Sequence, residues 1–157
     1  MNADTNIDVA VARLGQAMGM DLKLDENRAC RLVFDANLTV DIEAPAVLPD
    51  TLVMTCGLST GIPLDNREVV YQSLLEANFF ARGTGGGVIA YDEDREELVL
   101  QRLLAINSVD GQDIVNALES LLAYAESWID RLATVGSTNS DRRGEGDFVD
   151  PANMLSV

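Results

Sequence analysis

The 157-residue chain has no histidine, one lysine (Lys23), two cysteines, one tryptophan and four prolines. These shortages exclude several functions. Without histidine, the Ser-His-Asp and Cys-His nucleophile systems and the usual zinc sites cannot be built. Cys30 and Cys56 are far apart, both in strand-like runs, and the first residues lack the basic and apolar regions of a secretory signal. Two such cysteines read as buried free thiols, with a disulfide or a catalytic thiol as the lesser alternative. No run of about 18 apolar residues occurs, so no transmembrane helix is expected. Basic residues are also scarce: 11 stand against 26 acidic ones, a formal charge of −15. That surface repels nucleic acid and anionic lipid, and it favours basic or neutral partners as well as plain solubility.

What is present is patterned apolar chain. At 47% hydrophobic residues the sequence can fill a real core. The pattern predicts an α+β fold in the order helix, three strands, helix, two strands, helix. It forms one domain over residues 1–135, followed by a tail over residues 136–157. The first helix is expected after Thr5, which has capping-box spacing to Asp8. It carries Ile7, Val11, Leu14 and Met18 at helical intervals and ends at Gly19. Residues 20–24 alternate and read as extended chain. Cys30, Leu32 and Phe34 mark a strand, and a reversal at Asp35-Ala36-Asn37 follows. Leu38, Val40 and Ile42 alternate with Thr39, Asp41 and Glu43, giving a strand with one wet face. Residues 51–56 complete an antiparallel meander.

Asp65 is the expected cap of a second helix over residues 66–81. This helix has two apolar rows: Val70, Leu74 and Ala77, and Tyr71, Leu75 and Phe79. A helix apolar on most of its circumference must be covered on two sides. One cover is the sheet, and a second subunit is the simplest other. Strands at 88–91 and 97–104 follow, joined by the charged loop 92–96. A last helix is capped by Asp110, runs to about residue 134 and is ended by Gly136. Its stripe includes Ile114, Leu118, Leu121, Ala125, Trp128 and Leu132. The tail has no periodicity and reads as disordered.

No catalytic template fits. Gly83-Thr84-Gly85-Gly86-Gly87 is not followed by Lys-Ser/Thr or by a helix, so it reads as a flexible connection rather than a phosphate loop. Asp92, Asp94 and Glu96 lack the glycine and closing glutamate of a calcium loop. Asp41 and Glu43 read as surface. No metal, cofactor or catalytic residue is expected, and the chain is read as a binding protein rather than an enzyme.

Several phrases, in this order, resemble the class I chaperones of bacterial type III secretion, the CesT/SycE-like family. They are Leu14-Gly15, Met20-Asp21-Leu22, Cys30-Arg31-Leu32-Val33-Phe34, the strand at 38–42, Leu74-Leu75-Glu76-Ala77-Asn78-Phe79, residues 98–100, and Ala125-Glu126-Ser127-Trp128. The resemblance covers about residues 5–134. It implies a homodimer in the cytoplasm of a Gram-negative bacterium that binds a segment near the N-terminus of an effector, without catalysis. It also implies possible presentation to the secretion ATPase. The implied partner groove is Val11, Leu14, Met18, Met20, Leu22 and Val33, with about half expected to be plain core. The expected dimer interface is Tyr71, Leu75, Phe79 and Val99. The competing reading is a YbjN-like binding domain of similar architecture outside secretion.

Overall fold

The computed structural model describes residues 3–34, 38–60 and 66–137. The elements are α1 (Ala3–Met18), β1 (Ala29–Val33), β2 (Thr39–Glu43), β3 (Thr51–Thr60), α2 (Arg67–Asn78), β4 (Val88–Asp92), β5 (Glu97–Ala105) and α3 (Gly111–Ser137). The expected α+β order is therefore present. The strands form one antiparallel sheet in the order β1-β2-β3-β5-β4. α2 carries the chain from the middle of the sheet to its far edge.

Alternation along the strands gives the sheet two unlike faces. One holds Leu32, Val40, Ile42, Leu52, Met54, Cys56 and Leu100, all buried beneath the helices. The other holds Arg31, Asp41, Thr55 and Gln101, which are cross-strand neighbours by register. α3 lays Ile114, Leu118, Leu121, Ala125, Trp128 and Leu132 on the first face, all of them buried. Their intervals alternate between four and three residues, so the stripe stays on one side over a helix about 40 Å long. Val11 and Leu14 of α1 complete this core.

Several boundaries differ from the sequence reading. α1 begins at Ala3, so Thr5 lies inside the helix rather than at its cap. β3 runs on to Thr60 past a register shift between Gly57 and Ser59. A bulge breaks alternation, which is why Gly57-Leu58-Ser59-Thr60 does not read as strand. α3 continues through Gly136 to Ser137. Helical propensity is a weak prior, and a lone glycine near a long helix's end does not outweigh the turns before it. Asp110 does cap α3, as expected. The Asp113 N–H donates to Asp110 Oδ1 at 2.9 Å and the Asp110 N–H donates to Asp113 Oδ2 at 3.0 Å. This is a reciprocal box with Asp in place of Glu. The 35–37 reversal, the Asp65 cap and the tail from residue 138 lie outside the described residues.

The glycine cluster is pinned rather than loose. Trp128 Nε1–H donates to the Gly83 carbonyl at 2.8 Å, Arg102 Nη1 to that of Gly85 at 2.6 Å, and Thr84 Oγ1 to that of Gly87 at 2.7 Å. Gly85 has φ +59°, and a Cβ there would run into Tyr124 and Ser120. Glycine is used for close packing against α3 and for a left-handed backbone, so the expectation of a flexible link is corrected.

Asn78 explains the Ala-Asn-Phe phrase. Its side-chain Nδ2 donates to the Ile89 carbonyl at 3.0 Å, and its Oδ1 accepts from the Ile89 N–H at 2.8 Å. The amide imitates a neighbouring strand. It fixes the end of α2 to β4 and plugs part of that sheet edge, where unpaired backbone would otherwise invite other chains.

Candidate partner-binding surfaces

Three surfaces are built around this frame. The first is a groove of about 480 Å³ between α1 and the chain that leads into β1. Its apolar lining is Val9, Ala12, Leu22 and Leu24, with Asp8, Lys23 and Arg28 at its margin. Arg28 Nη1 pairs with Asp8 Oδ1 at 2.5 Å, tying the start of β1 to α1. Gly15 makes the groove possible. A Cβ there would lie 2.7 Å from Leu22 Cβ and 2.8 Å from the Met20 carbonyl oxygen, closer than packed atoms come. The Met20 N–H donates to the Gly15 carbonyl at 2.9 Å. The Leu14-Gly15 phrase thus has a physical reason: it seats residues 20–22 directly on α1.

The six residues expected to line a partner groove divide. Val11, Leu14 and Leu22 are buried at 1%, 0% and 8% exposure, Leu22 forming part of the groove floor. Met18 is partly buried against the core. Met20 and Val33 are exposed. Val33 stands on the sheet face away from the helices, so the fold does not bring it to the α1 groove. Val9, Ala12 and Leu24 were missed. Val9 and Ala12 fall outside the stripe that periodicity selects, because that stripe marks the face turned to the core.

The second surface is the open sheet face beside the β1 edge. The outward backbone groups of Ala29 are taken by Asp25: the Ala29 N–H donates to Asp25 Oδ1 at 2.9 Å and the Asp25 N–H donates to the Ala29 carbonyl at 2.8 Å. Among the described residues, nothing pairs with the outward groups of Arg31 and Val33. Above them, Asp41 is not the wet surface carboxylate expected. It is 14% exposed, accepts from Arg31 Nε and Nη2 at 2.6 and 2.9 Å, and accepts from Arg95 Nη1 at 2.9 Å. Arg95 belongs to the β4–β5 loop, so this pair straps the loop across the sheet to β2. Beneath the strap is a polar cleft of about 300 Å³, lined in part by Tyr91, Val99 and Gln101. Val99, expected at a dimer interface, is 5% exposed within this face.

The Arg31 hydrogen bond, helped by that of Arg95, holds the Asp41 carboxyl below its ordinary value of 3.8 against the opposing effect of burial. Asp41→Asn is expected to cost about 1–3 kcal/mol at neutral pH, as for hydrogen bonds between charged groups. The folded pKa is depressed, so this stabilisation is complete above the unfolded value near 3.9. It is lost as pH falls through the folded one. Urea melts of both proteins at pH 7 and pH 3 check this. A gap of equal size at both pH values would mean that the ionised carboxylate does not hold the strap.

The thiols carry no chemistry here. Burial, with Glu97 and Asp41 nearby, pushes Cys56 up to about 12. Burial, then Asp25 and Asp41, raises Cys30 as well. Both are free, and neither is a thiolate at neutral pH.

The third surface is α2. It ends at Asn78 rather than at residue 81 as expected, buries only Val70, Leu74 and Ala77, and presents Tyr71 and Leu75, with Phe79 just past its end, at 43%, 70% and 60% exposure. Phe80, just past the helix, extends the patch. Three of the four expected dimer residues therefore share one exposed face, and Val99 does not. Large apolar side chains at successive helical turns on a surface mark an interaction site. Among the described residues no helix is long and apolar enough to cross a membrane, and no cluster of His, Cys, Asp and Glu could hold a metal ion.

Residues 10–129 match the family model described as the Tir chaperone protein (CesT) family. A Chlamydia pneumoniae protein, CPj0713/CpB0740, is 23% identical over 124 residues, covering 70% of this chain and 94% of its own. The fold is similar to that in the ExsC–ExsE complex, with TM-score 0.68 and 20% identity over 84% of this chain and 97% of the other. It is also similar to that in the HopA1–SchA chaperone–effector complex, with TM-score 0.67 and 13% identity over 81% and 97%. The Yersinia pestis type III secretion chaperone SycH, in complex with a fragment of YscM2, gives TM-score 0.60 and 21% identity over 77% and 98%.

Proposed function

The chain belongs to the Tir chaperone protein (CesT) family, and from that premise we propose that it is a type III secretion chaperone. It acts as a homodimer in the bacterial cytoplasm and keeps the N-terminal segment of one effector extended, soluble and ready for export. The observation that carries this reading is the juxtaposition of an apolar groove on α1 with a β1 edge that is incompletely paired among the described residues. Such a pair suits a client that lays apolar side chains into a groove and adds backbone to a sheet. The adaptable Met18 and Met20 suit varied client side chains. The exposed α2 face supports the dimer, in which Tyr71, Leu75 and Phe79 are covered by a second copy. Presentation of the loaded dimer to the secretion ATPase belongs to the same proposal. The YbjN-like alternative has no specific observation in its favour.

The test is capture of partners by the tagged protein from its host while secretion genes are expressed, read by mass spectrometry. One larger protein, retained through its N-terminal region and protected there from protease, is the expected result. Recovery of the bait alone would overturn the proposal.

A further inference from the structure

The two edges of the sheet are finished differently. On β4, both outward groups of Ile89 are taken by the Asn78 amide. The N–H of Gly87, just before that strand, donates to the Thr84 carbonyl at 3.1 Å. On β1, Asp25 closes off Ala29 in the same way, but the outward groups of Arg31 and Val33 have no partner among the described residues. Open edges usually carry charge as a guard against other chains. This stretch does not. Val33 is apolar and 74% exposed, and Arg31 is drawn away from the edge by its two hydrogen bonds to Asp41. A stretch of edge left both unpaired and unguarded, beside one that is plugged, is suited to receive a strand.

The side chains along this stretch have a definite chemistry. Arg31 and Val33 both face away from the helices, because alternate residues of a strand share a side. The charges on that face alternate in sign across the sheet. Asp92 lies 3.6 Å from Arg95, Arg95 bonds Asp41 at 2.9 Å, and Asp41 bonds Arg31 at 2.6 Å. The series reaches the β1 edge and stops there on a cation. Arg31 is 58% exposed and uses Nε and Nη2 on Asp41, which leaves Nη1 for another acceptor. A strand added at this edge extends the series if it brings a carboxylate, and it covers Val33 if it brings an apolar side chain two residues away. Its other side chains turn to the helix side, beside Leu32 and Phe34 of the β1 segment and toward α1.

We infer that Val33 and Arg31 are specificity-determining residues that read the second face of the client strand: a β-branched apolar residue over Val33 and, two positions away, Asp or Glu over Arg31. The inference rests on the client-binding reading above. It adds a recognition face that the α1 groove cannot supply, since the groove meets only the side chains on the strand's other side.

The probes are two acetylated and amidated peptides, Ser-Leu-Val-Leu-Glu-Leu-Ser and Ser-Leu-Glu-Leu-Val-Leu-Ser, which suit antiparallel and parallel addition to β1 in turn. With the full chain, one of them is expected to protect the Arg31 and Val33 amides from hydrogen exchange. Replacing its Val by Lys, or its Glu by Lys, should weaken binding about two- to fivefold each, the scale of one cross-strand pair. Val33→Glu should reverse the first preference, so that the Lys peptide binds better than the Val peptide. Its melting temperature should stay within a few degrees of the unaltered protein's, because Val33 is exposed. A merely structural Val33 has no means of reversing a preference. If a peptide binds and Val9→Asp weakens it, while Val33→Glu leaves the order of the peptides unchanged, the open face reads nothing and the inference falls, but the groove reading stands. If neither peptide protects those amides, the inference falls as well, and capture of a client from the host decides the chaperone reading separately.

Discussion

Leu75→Glu is expected to convert the proposed homodimer to monomer, raising the dissociation constant by at least about a thousandfold. Leu75 is 70% exposed in the isolated chain, so the substitution leaves the protomer's core untouched. Its surroundings on α2 are polar enough to accept a carboxylate in water, with Gln72 and Glu76 already hydrogen-bonded to each other at 3.0 Å. In a two-fold dimer centred on this residue, two glutamates would meet. Each loses an apolar contact worth about 1.5–3 kcal/mol, and each becomes a buried charge without a partner. A thousandfold corresponds to about 4 kcal/mol, which these losses exceed together. Sedimentation velocity and the circular dichroism spectrum decide the outcome. A folded protein that is still dimeric would remove α2 from the interface.

The second large effect separates core from groove on α1. Leu14→Asp is expected to unfold the protein, losing more than about 4 kcal/mol, whether or not a client is present. Leu14 is wholly buried among core side chains. The change creates a cavity and strands a carboxylate in it. Val9→Asp, by contrast, alters a residue that lines the groove and is 39% exposed. It should leave the melting temperature within a few degrees and lower client affinity by about 10- to 100-fold, the scale of a lost anchor at a binding site. Calorimetric titration with the client segment, beside thermal melts, tests both. Undiminished affinity for Val9→Asp would move the binding site off the α1 groove. A stable Leu14→Asp protein would contradict the packing itself.

How much of this was legible in the residues differs by element. The α3 stripe from Ile114 to Leu132 and the alternation of Val40 and Ile42 needed no coordinates, because burial of one face imposes a period on the sequence. The cap at Asp110 was equally plain, since capping chemistry is local. The groove was only half legible. Periodicity chose Val11 and Leu14, which turn toward the core, and passed over Val9 and Ala12, which turn away from it. The role of Asp41 was not legible at all. Its partner Arg95 lies 54 positions along the chain, and no local pattern encodes a contact made by folding one loop over a sheet.

By itself, the sequence determined the order of elements, the apolar faces they must bury and the absence of histidine-based chemistry. Each of these depends on residue type and spacing alone. The tertiary structure decided which apolar residues remain outside once those faces are buried: Val9 at the groove, Leu75 on α2, Phe79 and Phe80 just past its end, Val33 on the open sheet. It also decided that Val99 is buried within that open sheet face rather than beside the α2 row. Exposure is what remains after every element has taken its place against the others, and a linear pattern records only each element's own demand for cover.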